Sequence, residues 1–251
     1  MRLFFTACRF LTIIPLPFKL NYQDGDMGRS MRWFPLVGLA LGALLAALHY
    51  FCLFIFPEEI VAVLLVALLA LLTGALHLDG LADVFDGFGA RGSRERFLEV
   101  MKDSSTGAIG AVALFLGLLL KYQALLHLPA GAKYGGIILF PAAARFSQVV
   151  MTAGSRRARD DGLGACFISS AAAREVLIAA ATVLTAAVFL LGMTGIICCL
   201  VVAVFACLSR SYFHSRLGGV TGDIIGCTSE LAEILALLTI IAVADKIKGL
   251  L

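Results

Sequence analysis

Residues 176–209 read VLIAAATVLTAAVFLLGMTGIICCLVVAVFACLS, 34 positions without one Asp, Glu, Lys or Arg. As a single helix the run would be about 51 Å long at 1.5 Å per residue, too long for one crossing of a hydrocarbon core roughly 30 Å thick. Gly192-Met193-Thr194-Gly195 interrupts it, so the spacing predicts two spans joined by a tight turn. Working outward, residues 107–126 and 135–152 read as spans. The first has Lys121 and His127 near its far end; the second is interrupted by Pro141 and carries Arg145, which inside a span must face protein or water. Residues 34–56 and 60–78 form two more spans, separated by Pro57-Glu58-Glu59, and residues 230–244 form a last, short apolar segment. Residues 1–17 are too short to cross and end in Pro15-Leu16-Pro17, which suits an interfacial or re-entrant helix.

The expected fold is therefore all-α: one membrane-embedded domain over residues 1–251, a polytopic integral membrane bundle of about six to seven spans. Composition agrees. Hydrophobic residues make up 61% of the chain and charged residues 15%, where a soluble domain carries about 25% charged residues. A soluble enzyme and a disordered chain are both excluded. A net charge of +3 lacks the strong basic excess of a nucleic-acid binder. The seven cysteines include no CxxC pair and lie mostly in apolar stretches, so they read as small buried hydrophobes.

The scarce charges gather in three polar stretches, 79–106, 153–175 and 210–228. These hold Arg91, Arg94, Arg96 and Lys102, then Arg156, Arg157, Arg159 and Arg174, then Arg210 and Arg216. The opposite connections are poor in Lys and Arg, so the positive-inside rule puts all three stretches in the cytoplasm. Polar chemistry confined to one face points to a membrane enzyme more than to a transporter, which distributes polar groups through the midplane.

The densest chemistry is His77-Leu78-Asp79-Gly80-Leu81-Ala82-Asp83-Val84-Phe85-Asp86-Gly87. Asp79, Asp83 and Asp86 follow i, i+4, i+7 and share one face of a helix. A helix dipole favours acids at a helix start, but three carboxylates on one face repel one another, and a divalent cation such as Mg²⁺ relieves that repulsion. Lys102, Asp103 and Ser104 precede an apolar helix whose free N–H groups can meet an anion, although capping explains Ser104 equally well. Arg156, Arg157 and Arg159 with Gly162 suit phosphate binding. Gly218, Gly219, Thr221 and Gly222 allow close backbone approach to a ligand. Asp223 with Glu230 and Glu233 forms a second acidic cluster. Two acidic clusters beside Arg-rich and Gly-rich stretches suit metal-assisted chemistry on a phosphorylated substrate.

These residues resemble the cobalamin synthase (adenosylcobinamide-GDP ribazoletransferase) family. The resemblance rests on Gly74 to Asp83 continuing to Asp86-Gly87, on Met101-Lys102-Asp103, on Gly107 to Gly110, on Ala158-Arg159 through Gly164, and on Gly218-Gly219 through Asp223. Phe10-Leu11-Thr12 to Pro15 and Phe34 to Gly38 match as well; Ala75 stands where the family usually has glycine. The resemblance implies a bacterial inner-membrane enzyme that joins adenosylcobinamide-GDP to α-ribazole or its 5′-phosphate and releases GMP with Mg²⁺. It leaves homo-oligomerisation open. In that reading Asp79, Asp83, Asp86, Asp103, Asp223, Glu230 and Glu233 are candidate metal ligands. His77, Ser104, Arg145, Arg159, Gly162, Gly218, Gly219, Thr221 and Gly222 are candidate substrate contacts. Lys102 and Asp83 join the catalytic set, and Asp86 is expected to be the general base because it lies furthest along its stretch. A CDP-alcohol-type phosphotransferase acting on a lipid is the alternative, and a cation transporter a more distant one.

Overall fold

The computed structural model describes residues 1–17, 19–90, 92–103, 105–159, 167–168 and 172–248. It is helical, and the long helices form a bundle. Six of them are long and apolar enough to cross a membrane: Asp26–Cys52, Ala108–Leu126, Ala130–Thr152, Ala173–Leu191, Met193–Leu217 and Gly222–Lys246. We label the helices α1 (Arg2–Leu11), α2 (Asp26–Ser30), α3 (Phe34–Cys52), α4 (Glu58–Leu72), α5 (Leu76–Gly89), α6 (Arg94–Val100), α7 (Ala108–Leu126), α8 (Lys133–Thr152), α9 (Ala173–Leu191), α10 (Met193–Leu217) and α11 (Gly222–Lys248).

The charge-free run folds as its length demands. Gly192, at φ +57°, ends α9 and starts α10 within one residue. The centre of the bundle is α8, whose residues from Leu139 to Thr152 are all buried. α3 lies against it through Gly38-Leu39-Ala40-Leu41-Gly42: a Cβ added at Gly38 would stand 2.6 Å from the Ala142 Cα, and one at Gly42 would run into the Ile138 carbonyl. Two small residues four apart let the backbones touch, the usual basis of close helix packing where hydrophobicity cannot drive association. Pro141 sits inside α8 without ending it.

Two elements depart from the sequence reading. The span expected over 60–78 is a 15-residue helix that stops at Leu72. Ala75 N–H bonds to the Ala70 carbonyl and Gly74 adopts φ +59°, a Schellman-type stop. Ala75 follows at φ +55°, the one non-glycine at positive φ among the described residues, and α5 leaves at 90° to α4. The last segment is also longer than the expected 230–244. α10 runs on to Leu217 and α11 begins at Gly222, so the polar stretch 210–228 shrinks to a four-residue turn, and Glu230 and Glu233 lie well inside a 27-residue helix. Gly222 and Gly226, inside the stretch that reads as a loop, are helical, and α5 approaches Gly226 closely.

Candidate active site

The transverse helix α5 crosses the start of α11 with almost no space between backbones. A Cβ at Gly80 would lie 2.6 Å from the Asp223 carbonyl oxygen, and one at Gly226 would lie 3.3 Å from the His77 Cα. This pair of glycines brings the Asp79–Asp83 face of α5 against Asp223. The glycine-rich stretch thus serves the approach of the chain to itself. Gly218, at φ +76°, terminates α10, and a Cβ on Gly219 would strike the Arg156 carbonyl. Both glycines, expected to touch a ligand, instead form a turn that pairs with residues 156–158, through Val220 N–H to Arg156 O at 2.9 Å and Ala158 N–H to Val220 O at 3.0 Å. Arg94 fastens the same corner, donating to the Leu217 and Ala158 carbonyls at 2.7 and 2.9 Å.

That corner aims Arg159 into the site, where its guanidinium donates to Asp223 Oδ2 at 2.6 Å. The Thr221 hydroxyl accepts the Ile224 N–H at 3.2 Å as the cap of α11, which accounts for this residue without a ligand. A cavity of about 200 Å³ opens here. Its polar wall is Asp79, Asp223, Arg159, His77, Gln148 and Thr152, with Gly222; its apolar wall includes Phe10, Met31, Phe34 and Phe167. Asp83 stands one turn along α5 from Asp79. Burial, and then the charges of Asp79, Asp223 and Asp86, push its carboxyl up to about 7 against the pull of Arg159. The excess of negative charge inferred from the spacing is therefore present in the fold.

Asp86 does not face the cavity. Its two oxygens accept Gly107 N–H at 2.7 Å and Gly110 N–H at 2.8 Å, so the carboxylate caps α7 and meets the positive end of its dipole. A Cβ at Gly107 would fall 2.5 Å from this carboxylate, which is why glycine stands there. Asp86, expected to be the general base, has both oxygens engaged by N–H groups of α7 and is not part of the cavity lining. Asp103 turns back on Ser105, accepting its N–H and hydroxyl at 3.0 and 2.5 Å, and shares a separate open groove with Asp86 and Arg96. Lys102 is exposed beside it. Ser104 and Gly162, expected to contact substrate, lie outside the described residues.

The second acidic cluster is a different object from the one expected. Lys121 Nζ donates to Glu230 at 2.6 Å and to Glu233 at 2.5 Å, while Arg145 donates to Glu233 at 3.1 Å and to Ser229 at 2.8 Å. All four ionisable groups are buried. Two cations balance two anions, so Glu230 and Glu233 have their charge met by protein, and Arg145 ties α8 to α11 instead of lining the cavity. The physical reason is the early start of α11, which carries the glutamates into the bundle where an unpaired charge is costly. Among the described residues, no three His, Cys, Asp or Glu side chains converge as a preformed metal group. Of the seven candidate acids, Asp79 and Asp223 line the cavity and Asp83 stands one turn along α5 from Asp79.

Sequence reasoning missed Gln148, Thr152 and the aromatic wall. Gln148 was the detectable one, since an amide inside an apolar span is a functional signal by default.

A family model for cobalamin-5-phosphate synthase matches residues 3–241. Three curated relatives bear the name adenosylcobinamide-GDP ribazoletransferase. The protein of Geotalea daltonii is 54% identical over 246 residues, 98% of this chain and 99% of its own. That of Shewanella amazonensis is 37% identical over 250 residues, covering 96% and 95%. That of Acetivibrio thermocellus is 34% identical over 225 residues, covering 89% and 91%. No solved structure matches the chain.

Proposed function

The chain belongs to the cobalamin-5-phosphate synthase family, and from that premise we propose that it joins adenosylcobinamide-GDP to α-ribazole, or to its 5′-phosphate, and releases GMP. The observation that carries the reading is the meeting of Asp79, Asp223 and Arg159 in the wall of one cavity, with Asp83 close enough to feel their charges. A ribose hydroxyl that is free in both α-ribazole and its 5′-phosphate attacks the phosphorus attached to the cobinamide, and the bond from that phosphorus to the GMP oxygen breaks. The hydroxyl proton passes to a carboxylate of this group, and GMP leaves with the bond electrons. Arg159 supplies a planar donor for phosphate oxygens beside Asp223. Exclusion of water by the apolar wall protects the activated phosphorus from hydrolysis.

Magnesium fits the donor set. Mg²⁺ prefers one or two carboxylates plus substrate phosphate oxygens, and the like-charge pressure on Asp83 is what a cation would relieve. Asp79 and Asp83 would hold it, with Asp223 adjacent. When bound, it would supply charge neutralisation for the phosphoryl group and the departing GMP.

The setting we propose is the bacterial inner membrane with the cavity facing the cytoplasm. Arg159 lines the cavity, Arg94 and Arg156 build the corner that holds it, and Arg96 lines the neighbouring groove. The opposite end pairs Lys133 with Glu58 at 2.5 Å, and the positive-inside rule orients the bundle accordingly. The test is product analysis with purified protein in lipid. GMP released from adenosylcobinamide-GDP only when α-ribazole is present supports the reading. CMP release from a CDP-lipid, with no GMP from the cobinamide substrate, overturns it.

A further inference from the structure

The apolar wall of the cavity is not needed by the acids, and its composition is specific. Phe10 comes from the end of α1, Phe34 from the start of α3, and Phe167 from the segment after Arg159. Phe10 and Phe167 have ring centroids 4.3 Å apart, Phe34 and Phe167 5.8 Å, and Phe10 and Phe34 lie stacked at 6.0 Å. Three rings from three distant parts of the chain thus converge on one side of a cavity whose other side is carboxylate and guanidinium.

His77 and Gln148 also line the cavity, and both are buried. His77 Nε2 and Gln148 Nε2 are 2.9 Å apart. The remaining polar atoms, His77 Nδ1 and Gln148 Oε1, are buried without a hydrogen-bond partner. An unsatisfied buried polar atom carries a cost of about 1–3 kcal/mol, and both of these side chains line the cavity.

We propose that this half of the cavity is the seat of the acceptor's aromatic base, a flat, uncharged benzimidazole, stacked against Phe10 and Phe167 with its ribose directed to Asp79 and Asp223. The proposal rests on the reaction proposed above and assigns one of its two substrates to a place. Size supports it. A dry apolar cavity of about 150 Å³ takes benzene, so about 200 Å³ suits a fused two-ring base and excludes a corrin macrocycle. Polarity supports it as well. Guanine presents donors and acceptors along most of its edge, whereas the aromatic wall offers none, and His77 and Gln148 together provide only the few hydrogen bonds that a benzimidazole nucleoside can use. The diphosphate of the donor carries charge that an aromatic wall would desolvate at a cost.

The test uses the full chain in lipid, with binding of α-ribazole and of adenosylcobinamide-GDP measured separately by calorimetry, and KM measured for each. Phe10→Ala and Phe167→Ala are expected to weaken α-ribazole binding and raise its KM by about 10-fold or more, as loss of a base-stacking ring does, with the donor constants unchanged. Phe10→Trp is expected to restore the acceptor constants. Leu76→Trp, placed at the exposed cavity mouth, is expected to weaken α-ribazole binding in a chain whose core is untouched. Wild-type turnover combined with unchanged acceptor constants in all these variants overturns the assignment and leaves the reaction standing. Weakening of the donor instead moves guanine into the cavity and also overturns it. A wild-type chain that binds neither substrate and releases no GMP overturns the reaction itself, and the assignment with it.

Discussion

Replacing Asp86 separates capping from catalysis, because the two roles respond to different substitutions. In Asp86→Ala both N–H groups of α7, Gly107 and Gly110, lose a charged acceptor held at 2.7 and 2.8 Å. A helix cap contributes about 1–2 kcal/mol, and hydrogen bonds to a charged group about 1.5–3 kcal/mol each before water reclaims the exposed donor. Gly107 is exposed and Gly110 buried, so one donor is rehydrated and one is not. The net loss is about 2–3 kcal/mol, or about 4–12 °C in Tm for a chain of this size. Asp86→Asn keeps one acceptor oxygen and the side-chain shape, so it should lose about 1 kcal/mol. Thermal unfolding in detergent measures the first quantity, and GMP release at a temperature where each variant is folded measures the second. The expected result is an Asn variant that retains turnover within about 10-fold and an Ala variant whose main defect is stability. A folded Asp86→Asn protein slowed by about 100-fold or more, in the range of lost general-base catalysis, would refute the capping assignment and restore Asp86 as the base.

Three further perturbations probe the scaffold. Ala75→Gly relieves a left-handed conformation at φ +55° that costs an L-residue about 1–2 kcal/mol; part of that gain is lost to glycine's freedom in the unfolded chain, so Tm should rise by about 2–4 °C. Lys121→Met leaves Glu230 and Glu233 buried without their shared cation, a loss of about 3–5 kcal/mol; expression and Tm should collapse, and Lys121→Met combined with Glu230→Gln and Glu233→Gln should recover part of the loss. Gly42→Leu places a side chain into the Ile138 carbonyl and should part α3 from α8, read as a fall in Tm, whereas Leu44→Ala, at an exposed position of α3, should change it little.

Much of this molecule is written in local pattern. The charge-free run over 176–209 fixes two spans and their turn, because length against bilayer thickness leaves no other solution. Asp79 and Asp83 share a face because helical spacing requires it. What sequence could not disclose depends on partners distant in the chain. Asp86 caps a helix that begins 21 residues later, and nothing local distinguishes a capping acid from a catalytic one. Asp223, Glu230 and Glu233 read as one acidic cluster from their helical spacing alone, but Lys121 of α7 and Arg145 of α8 meet the two glutamates inside the bundle. The 90° turn after Leu72 is hidden inside an apolar run that looks like one span. Phe10, Phe34 and Phe167 are far apart in the chain, and only the fold brings their rings together.

The central claim is that the carboxylates of α5 beside Asp223 perform phosphoryl transfer, and it is tested most directly by GMP release from adenosylcobinamide-GDP and α-ribazole. The measurement uses purified wild-type, Asp79→Asn and Asp83→Asn proteins in lipid, with Mg²⁺ and with chelator. Wild-type protein should release GMP in step with the cobalamin product only when Mg²⁺ is present. Each Asn variant should fall by about 100-fold or more with an unchanged Tm, as loss of transition-state charge stabilisation requires. Full turnover by Asp79→Asn and Asp83→Asn, or release that is indifferent to chelation, would contradict the account.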